Sequence, residues 1–252
     1  MQATTWEAAR HNGVRFPGRP WVTYGLMLAI VAAMCIEIFV ATNAHNLETM
    51  LQTYGLVSSE FRWGDPASYI PLVTFNFLHS SSAHFAGNAI IMLLACAAVE
   101  RHAGRKATLF VWLIGGVVSG IAHLFIVPDT TGSLVGASGA ISAMLGAAVI
   151  IGWRWALPVR FRRSGRTFFT IPLPAVTAIW VAFQAASFAS AAPNVSAEST
   201  VATWVHLAGF AFGVLVAGVL SLYGRPQSYH SLSHDLPGPA SCAKIDVQKP
   251  AA

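Results

Sequence analysis

GASGAISAMLGAAVIIG, residues 136–152, contains no charged side chain, and its only polar ones are Ser138 and Ser142. With Val135 before it, the run is close to the length that crosses a bilayer, since about 20 helical residues traverse about 30 Å of hydrocarbon. Small residues in a membrane helix most often serve close packing. A serine at the mouth of such a helix is also a candidate nucleophile, provided a base reaches it. What decides between the two readings is which polar groups the rest of the chain brings to the same depth.

Five further apolar runs, at about 21–42, 83–99, 107–127, 168–190 and 203–222, raise the number of candidate spans to six. Hydrophobic residues make up 55% of the 252-residue chain and charged ones only 10%. Soluble domains carry about 25% charged residues. With a mean hydropathy of +0.58, the chain reads as an all-α polytopic membrane protein. The formal charge of +5 does not indicate a nucleic-acid partner, because the basic residues lie in short loops and no basic module interleaved with aromatics is present. The lipid bilayer, with its anionic cytoplasmic face, is the expected partner. Cys35, Cys96 and Cys242 form no CxxC pair, so neither a disulfide framework nor a zinc ribbon is expected. No cofactor is expected either.

Three segments follow: a cytoplasmic N-terminal stretch 1–20, a six-helix membrane domain 21–222 with an outer loop at about 43–82, and a tail 223–252. The first apolar run is too long for a signal-peptide core and lacks a cleavage site, so it reads as a retained span. Nothing in 1–20 looks like an organelle transit peptide, which points to a prokaryotic inner or plasma membrane. The tail, with Pro226, Pro237, Gly238, Pro239 and Pro250 and no apolar periodicity, is expected to be disordered. All Lys and Arg residues except Arg62 fall in alternate inter-span segments, beginning with Arg10, Arg15 and Arg19. Cytoplasmic loops carry that excess, so both termini are expected in the cytoplasm. The outer loop is unusually apolar, with Leu51, Phe61, Trp63, Tyr69, Phe75 and Phe77. Two readings stay open for it: amphipathic helical pieces sunk in the headgroup region, or a loop folded on its own small core.

This topology starts the second, fourth and sixth spans at the outer face. His84, Asn88, Ser138 and His206 then lie in the first turns of their helices, within about 10 Å of one depth at a 1.5 Å rise per residue. A neutral imidazole at His206 is the base that Ser138 requires. Gly209 and Gly213 form a GxxxG that admits a close neighbour, and Gly139, Ala143 and Gly146 form a matching row on the fourth span. His84 and Asn88, at i and i+4, share a helical face. Together with the Ser138 amide at a helix N-terminus, they can present donors to an oxyanion. His79 is a supporting residue that orders the adjoining loop. No third member of a triad is evident, since Asp129 and Glu198 are loop residues and Glu37 and Glu100 belong to other spans.

The residues Phe77-Leu78-His79, His84 and Asn88, Ala98-Val99-Glu100-Arg101 with Gly104, Gly136-Ala137-Ser138-Gly139, and His206 with Gly209 and Gly213 stand in an order and spacing that resembles the rhomboid intramembrane serine proteases. The resemblance covers about residues 60–222. It implies a six-helix rhomboid-like bundle, with Ser138 as nucleophile, His206 as general base and acid, and His84, Asn88 and the Ser138 amide as oxyanion hole. It further implies transmembrane protein substrates, cut near the outer face after a small residue, and the fifth span as a side gate. Gly136 and Gly139 would leave room for a bound peptide and for a close sixth helix.

The chain departs from that pattern at two points. Many members carry an aromatic four residues after the nucleophile, on which the histidine stacks, where this chain has Ser142. Many also have a Trp-Arg pair in the first outer loop, where this chain reads Tyr69-Ile70-Pro71-Leu72. Glu37, inside the first span, reads as a structural hydrogen-bond partner, and His123 as interfacial. Asn194-Val195-Ser196 is a sequon on the outer side. No HExxH helix is present, and the single Gly-Asp pair, Gly64-Asp65, lies in a loop, which argues against zinc and paired-aspartate membrane proteases. The alternatives are a catalytically silent relative that binds or remodels membrane helices, and a transporter. A transporter would be expected to show repeated broken helices and a midplane polar site, and neither is evident.

Overall fold

A computed structural model describes residues 19–41, 44–152, 156–160, 167–190 and 197–223. The chain opens with helix α1 (Trp21–Val40), followed by α2 (Ala44–Tyr54), strand β1 (Leu56–Val57), short 3-10 turns and the single-turn α3 (Pro71–Thr74). Helix α4 (Ser82–Ile126), strand β2 (Ser133–Leu134) and α5 (Ser138–Gly152) come next. The hairpin β3 (Ala156–Arg160) and β4 (Thr167–Pro172) leads into α6 (Leu173–Ser190) and α7 (Ala197–Tyr223). The expected N-terminal segment, except its last two residues, and nearly all of the tail lie outside the described residues, as do the sequon, Cys242 and Arg154, Arg162, Arg163 and Arg166.

Among the described residues, three helices are long and apolar enough to cross a membrane: α1, α4, and α7 through its stretch Thr203–Leu222. Ser138–Ile151 and Leu173–Gln184 are apolar but shorter. The 45-residue α4 is two helices meeting at Gly104, whose φ of 85° and ψ of 171° are not helical. Positive φ is easy for glycine and strained for a residue with a Cβ. Gly104 is thus the joint between the runs expected at 83–99 and 107–127.

Helix α5 has 15 residues, about 22 Å at 1.5 Å per residue, and is buried along most of its length. Ala137, Ala140, Ile141, Ser142, Ala143, Met144, Leu145, Ala147 and Ala148 are all buried. A helix apolar on every side is a core helix, and α4 and α7 enclose this one. The glycines allow that enclosure. A Cβ on Gly213 would fall on the Ala143 carbonyl oxygen, and lie 2.7 Å from its carbon and 2.9 Å from Ala147 N. One on Gly146 would meet the Phe210 carbonyl, and one on Gly115 the Ala143 Cβ. Helix α1 sits at the periphery, with Leu26, Ile30 and Met34 turned inward and Leu28, Ile38 and Phe39 exposed. Glu100 accepts the backbone N–H of Val22 and of Thr23 and the Thr23 hydroxyl, at 3.0, 2.8 and 2.8 Å. This carboxylate satisfies orphan donors in the first turn of α1 and ties that turn to α4.

The fold is mostly helical, with two short two-stranded ladders among the described residues, and one expected boundary needs correction. The fifth helix begins at Leu173 rather than near 168, because Thr167-Phe168-Phe169-Thr170-Ile171, rich in β-branched and aromatic residues, pairs as β4 with β3. The apolar stretch expected at about 203–222 lies within α7, whose helix begins earlier, at Ala197, so His206 is in the third turn of that helix. The loop expected at about 43–82 contains both a helix and a small apolar cluster. Helix α2 is a helical piece, and Leu56, Leu72, Phe75 and Leu124 form a small core with Phe61, Ile121 and Leu134 packed on it.

Candidate functional site

The two-residue ladder of β1 with β2, pairing Leu56 with Leu134 and Val57 with Ser133, delivers the chain to the start of α5. Just beyond it, the Gly136 N–H donates to the Phe75 carbonyl at 2.9 Å, and Gly136 has a φ of 129°. That conformation needs glycine, and so does the space. A Cβ there would lie 2.7 Å from His84 Cε1, 2.9 Å from His84 Nε2 and 3.6 Å from Asn88 Nδ2. The turn therefore leads directly past His84 and Asn88 into Ser138, the first residue of α5.

The Ser138 hydroxyl lies 2.6 Å from His206 Nε2. Close packing of α5 on α7 makes this approach possible: a Cβ on Gly209 would strike the Gly139 carbonyl oxygen, while on the α4 side one on Gly139 would lie 2.6 Å from Ser119 Cβ. The four residues expected to converge, His84, Asn88, Ser138 and His206, thus surround one turn of backbone.

Asn88 is buried, and its Nδ2 is without a hydrogen-bond partner among the described residues. A buried amide N–H left open beside a serine is a donor available to an oxyanion. His84 Nδ1 is 3.3 Å from the Ser80 hydroxyl. If that hydroxyl donates, the ring proton sits on Nε2, the nitrogen beside Gly136. Ser81 caps α4 by accepting the His84 backbone N–H at 3.2 Å. His79, in the loop before α4, is buried and packs edge-on to the rings of His84 and Phe85, at centroid distances of 5.3 and 5.4 Å. Burial, with the nearby His84 as a lesser cause, pushes the His79 imidazole down to about 4, so it is neutral at physiological pH. Its backbone N–H donates to Glu37 Oε1 at 2.7 Å. His123, in the last turn of α4, is buried.

Two residues escaped the sequence reading. Gln184 Oε1 lies 2.8 Å from His206 Nδ1, and the Trp180 ring lies against His206 at 5.7 Å between centroids, tilted by 58°. Both belong to α6, one turn apart. Ser142, at the position of the missing aromatic, donates its hydroxyl to the Ser138 carbonyl at 2.6 Å instead of meeting the histidine. A signal for Gln184 did exist: a long polar side chain inside an apolar helix is costly unless it has a partner. Among the described residues no group of three or more His, Cys, Asp and Glu is able to hold a metal ion.

A hydroxyl bonded to an imidazole, an open amide N–H on the neighbouring Asn88 and an apolar surround are together suited to nucleophilic attack on a carbonyl. Comparison with known families finds the Rhomboid domain over residues 66–223, more than half of the chain. No curated protein matches the chain.

Proposed function

The chain belongs to the rhomboid family, and on that premise we propose that it is an intramembrane serine endopeptidase. It cleaves membrane-spanning protein substrates near the outer face through an acyl-enzyme. The observation that carries the reading is the 2.6 Å contact of Ser138 Oγ with His206 Nε2, beside the unpartnered Asn88 Nδ2.

In this mechanism Ser138 Oγ attacks the scissile carbonyl carbon while His206 Nε2 takes the hydroxyl proton. The negative charge that develops on the carbonyl oxygen meets Asn88 Nδ2, His84 Nε2 and the Ser138 amide, donors already oriented before the reaction. The C–N bond breaks as His206 returns the proton to the leaving amine. Water, deprotonated by the same imidazole, then attacks the acyl carbon and releases Ser138. Every step is a proton or acyl transfer among Ser138, His206, the substrate and water.

The proposed arrangement is an integral membrane protein with six membrane-crossing segments, the two arms of α4 counting separately, within a membrane domain 21–222. Both termini are cytoplasmic, in the inner or plasma membrane of a prokaryotic cell, as the distribution of basic residues supports. The test is cleavage of a single-span substrate with a helix-destabilising, small-residue segment, by protein reconstituted in liposomes. Cleavage by the wild type that is abolished by Ser138→Ala and by His206→Ala is expected. Cleavage that persists in Ser138→Ala would refute the assignment.

A further inference from the structure

If Nε2 of His206 is to take the Ser138 proton it must carry the lone pair, so the ring's own proton belongs on Nδ1. That N–H points away from Ser138 into an apolar bundle, where an unmet donor is costly. Gln184 Oε1 stands 2.8 Å from it. The helix geometry makes this contact natural: Leu173, Val176 and Thr177 are the buried face of α6, while Ile179, Val181 and Phe183 are exposed. Trp180 and Gln184 continue the inward stripe at helical spacing. The Trp180 ring is shared between His206 and Phe210, stacking on Phe210 at 6.2 Å with an 11° interplanar angle. His206 and Phe210 are i, i+4 on α7, as Trp180 and Gln184 are on α6, so two side chains of one helix grip two of the other.

We propose that Gln184 is the positioning residue that keeps His206 in the tautomer and orientation of a general base, with Trp180 fixing the tilt of the ring. This inference rests on the reading of Ser138 and His206 as nucleophile and base. A base oriented from α6 is aligned only while α6 is seated on α7. The groups facing the His206 ring are Ser138 from α5 and Trp180 and Gln184 from α6, and His84 on α4 is the titratable neighbour.

The test compares wild type, Ser138→Ala, Gln184→Leu and Gln184→Glu as full-length protein in liposomes, with kcat and KM for a single-span substrate measured across pH. Gln184→Leu is expected to lower kcat by roughly 10–100-fold with little change in KM, because orientation of the base matters in the transition state and not for binding. Gln184→Glu keeps the acceptor and is expected to restore most of kcat. Its carboxylate favours the imidazolium, so the acid limb of kcat/KM, which reports the base in the free enzyme, moves to higher pH. A packing role would leave that limb where it is. Wild-type kcat in Gln184→Leu, or an acid limb in Gln184→Glu that coincides with the wild type, overturns the proposal. Should Gln184→Leu fail to fold, the acid limb of Gln184→Glu decides alone. Ser138-dependent cleavage that is indifferent to Gln184 refutes this inference only; wild-type protein with no Ser138-dependent cleavage refutes the parent reading and this one with it.

Discussion

Gly213→Ala is the sharpest probe of how the site is assembled, because Gly218→Ala on the same helix provides its control. At Gly213 a Cβ would strike the Ala143 carbonyl oxygen and lie 2.7 Å from its carbon and 2.9 Å from Ala147 N, whereas at Gly218 it would meet nothing within 4 Å. Carbon contacts relax at about 3.5–4.0 Å, so α7 must withdraw from α5 by about 1 Å to admit the methyl. The obstacle is backbone, which cannot rotate aside. Overpacking of this kind costs about 1–3 kcal/mol. Both substitutions gain the same helix propensity, about 0.5–1 kcal/mol, so the difference between them isolates the clash. The same 1 Å withdrawal carries His206, two turns away, off Ser138, and a misplacement of that size costs about 10²-fold in rate. Reversible unfolding in mixed micelles and liposome cleavage measure the two effects. Equal stability of the variants together with wild-type turnover in Gly213→Ala would refute the claim that backbone contact between α5 and α7 sets the site.

Three other outcomes are expected. Gly136→Ala would drive a methyl into the His84 ring at a φ of 129°, and should abolish cleavage and active-site labelling while leaving the fold, judged by helical circular dichroism, intact. Glu100→Leu leaves two backbone N–H groups of α1 and the Thr23 hydroxyl without their acceptor; at about 1–3 kcal/mol per buried orphan group it should lower stability by more than about 2 kcal/mol, whereas an unchanged unfolding midpoint would contradict the capping role. Glu37→Gln preserves an oxygen for the His79 N–H and should keep near wild-type activity. Glu37→Leu, which frees the loop that packs on His84, should lower kcat at least several-fold, and equal activity in the two variants would contradict that link.

The helices and the convergence of Ser138, His206, His84 and Asn88 were legible because each depends on sequence pattern: apolar runs of spanning length, basic residues in alternate inter-span segments, small residues in rows. Helix ends were less so. Thr167–Pro172 is apolar enough to extend a span, and its β-branched and aromatic character prevails because Ala156–Arg160 offers a partner strand. Gln184 was missed for a different reason. It finds His206 across 22 residues of sequence, and only the rotation of α6 about its axis decides that it faces inward. Ser142 likewise gives no hint from sequence that its hydroxyl folds back on the Ser138 carbonyl. The carboxylate of Glu100 reaches the start of α1 from 77 residues away, a contact that no periodicity encodes.

The central claim is that Ser138 is a nucleophile activated by His206. Its most direct test is to treat the reconstituted protein with a fluorophosphonate and map the adduct by mass spectrometry. A single adduct on Ser138 in the wild type, lost or strongly slowed in His206→Ala, is the result this account requires. An adduct on another residue, or labelling of Ser138 at the same rate without His206, would contradict it.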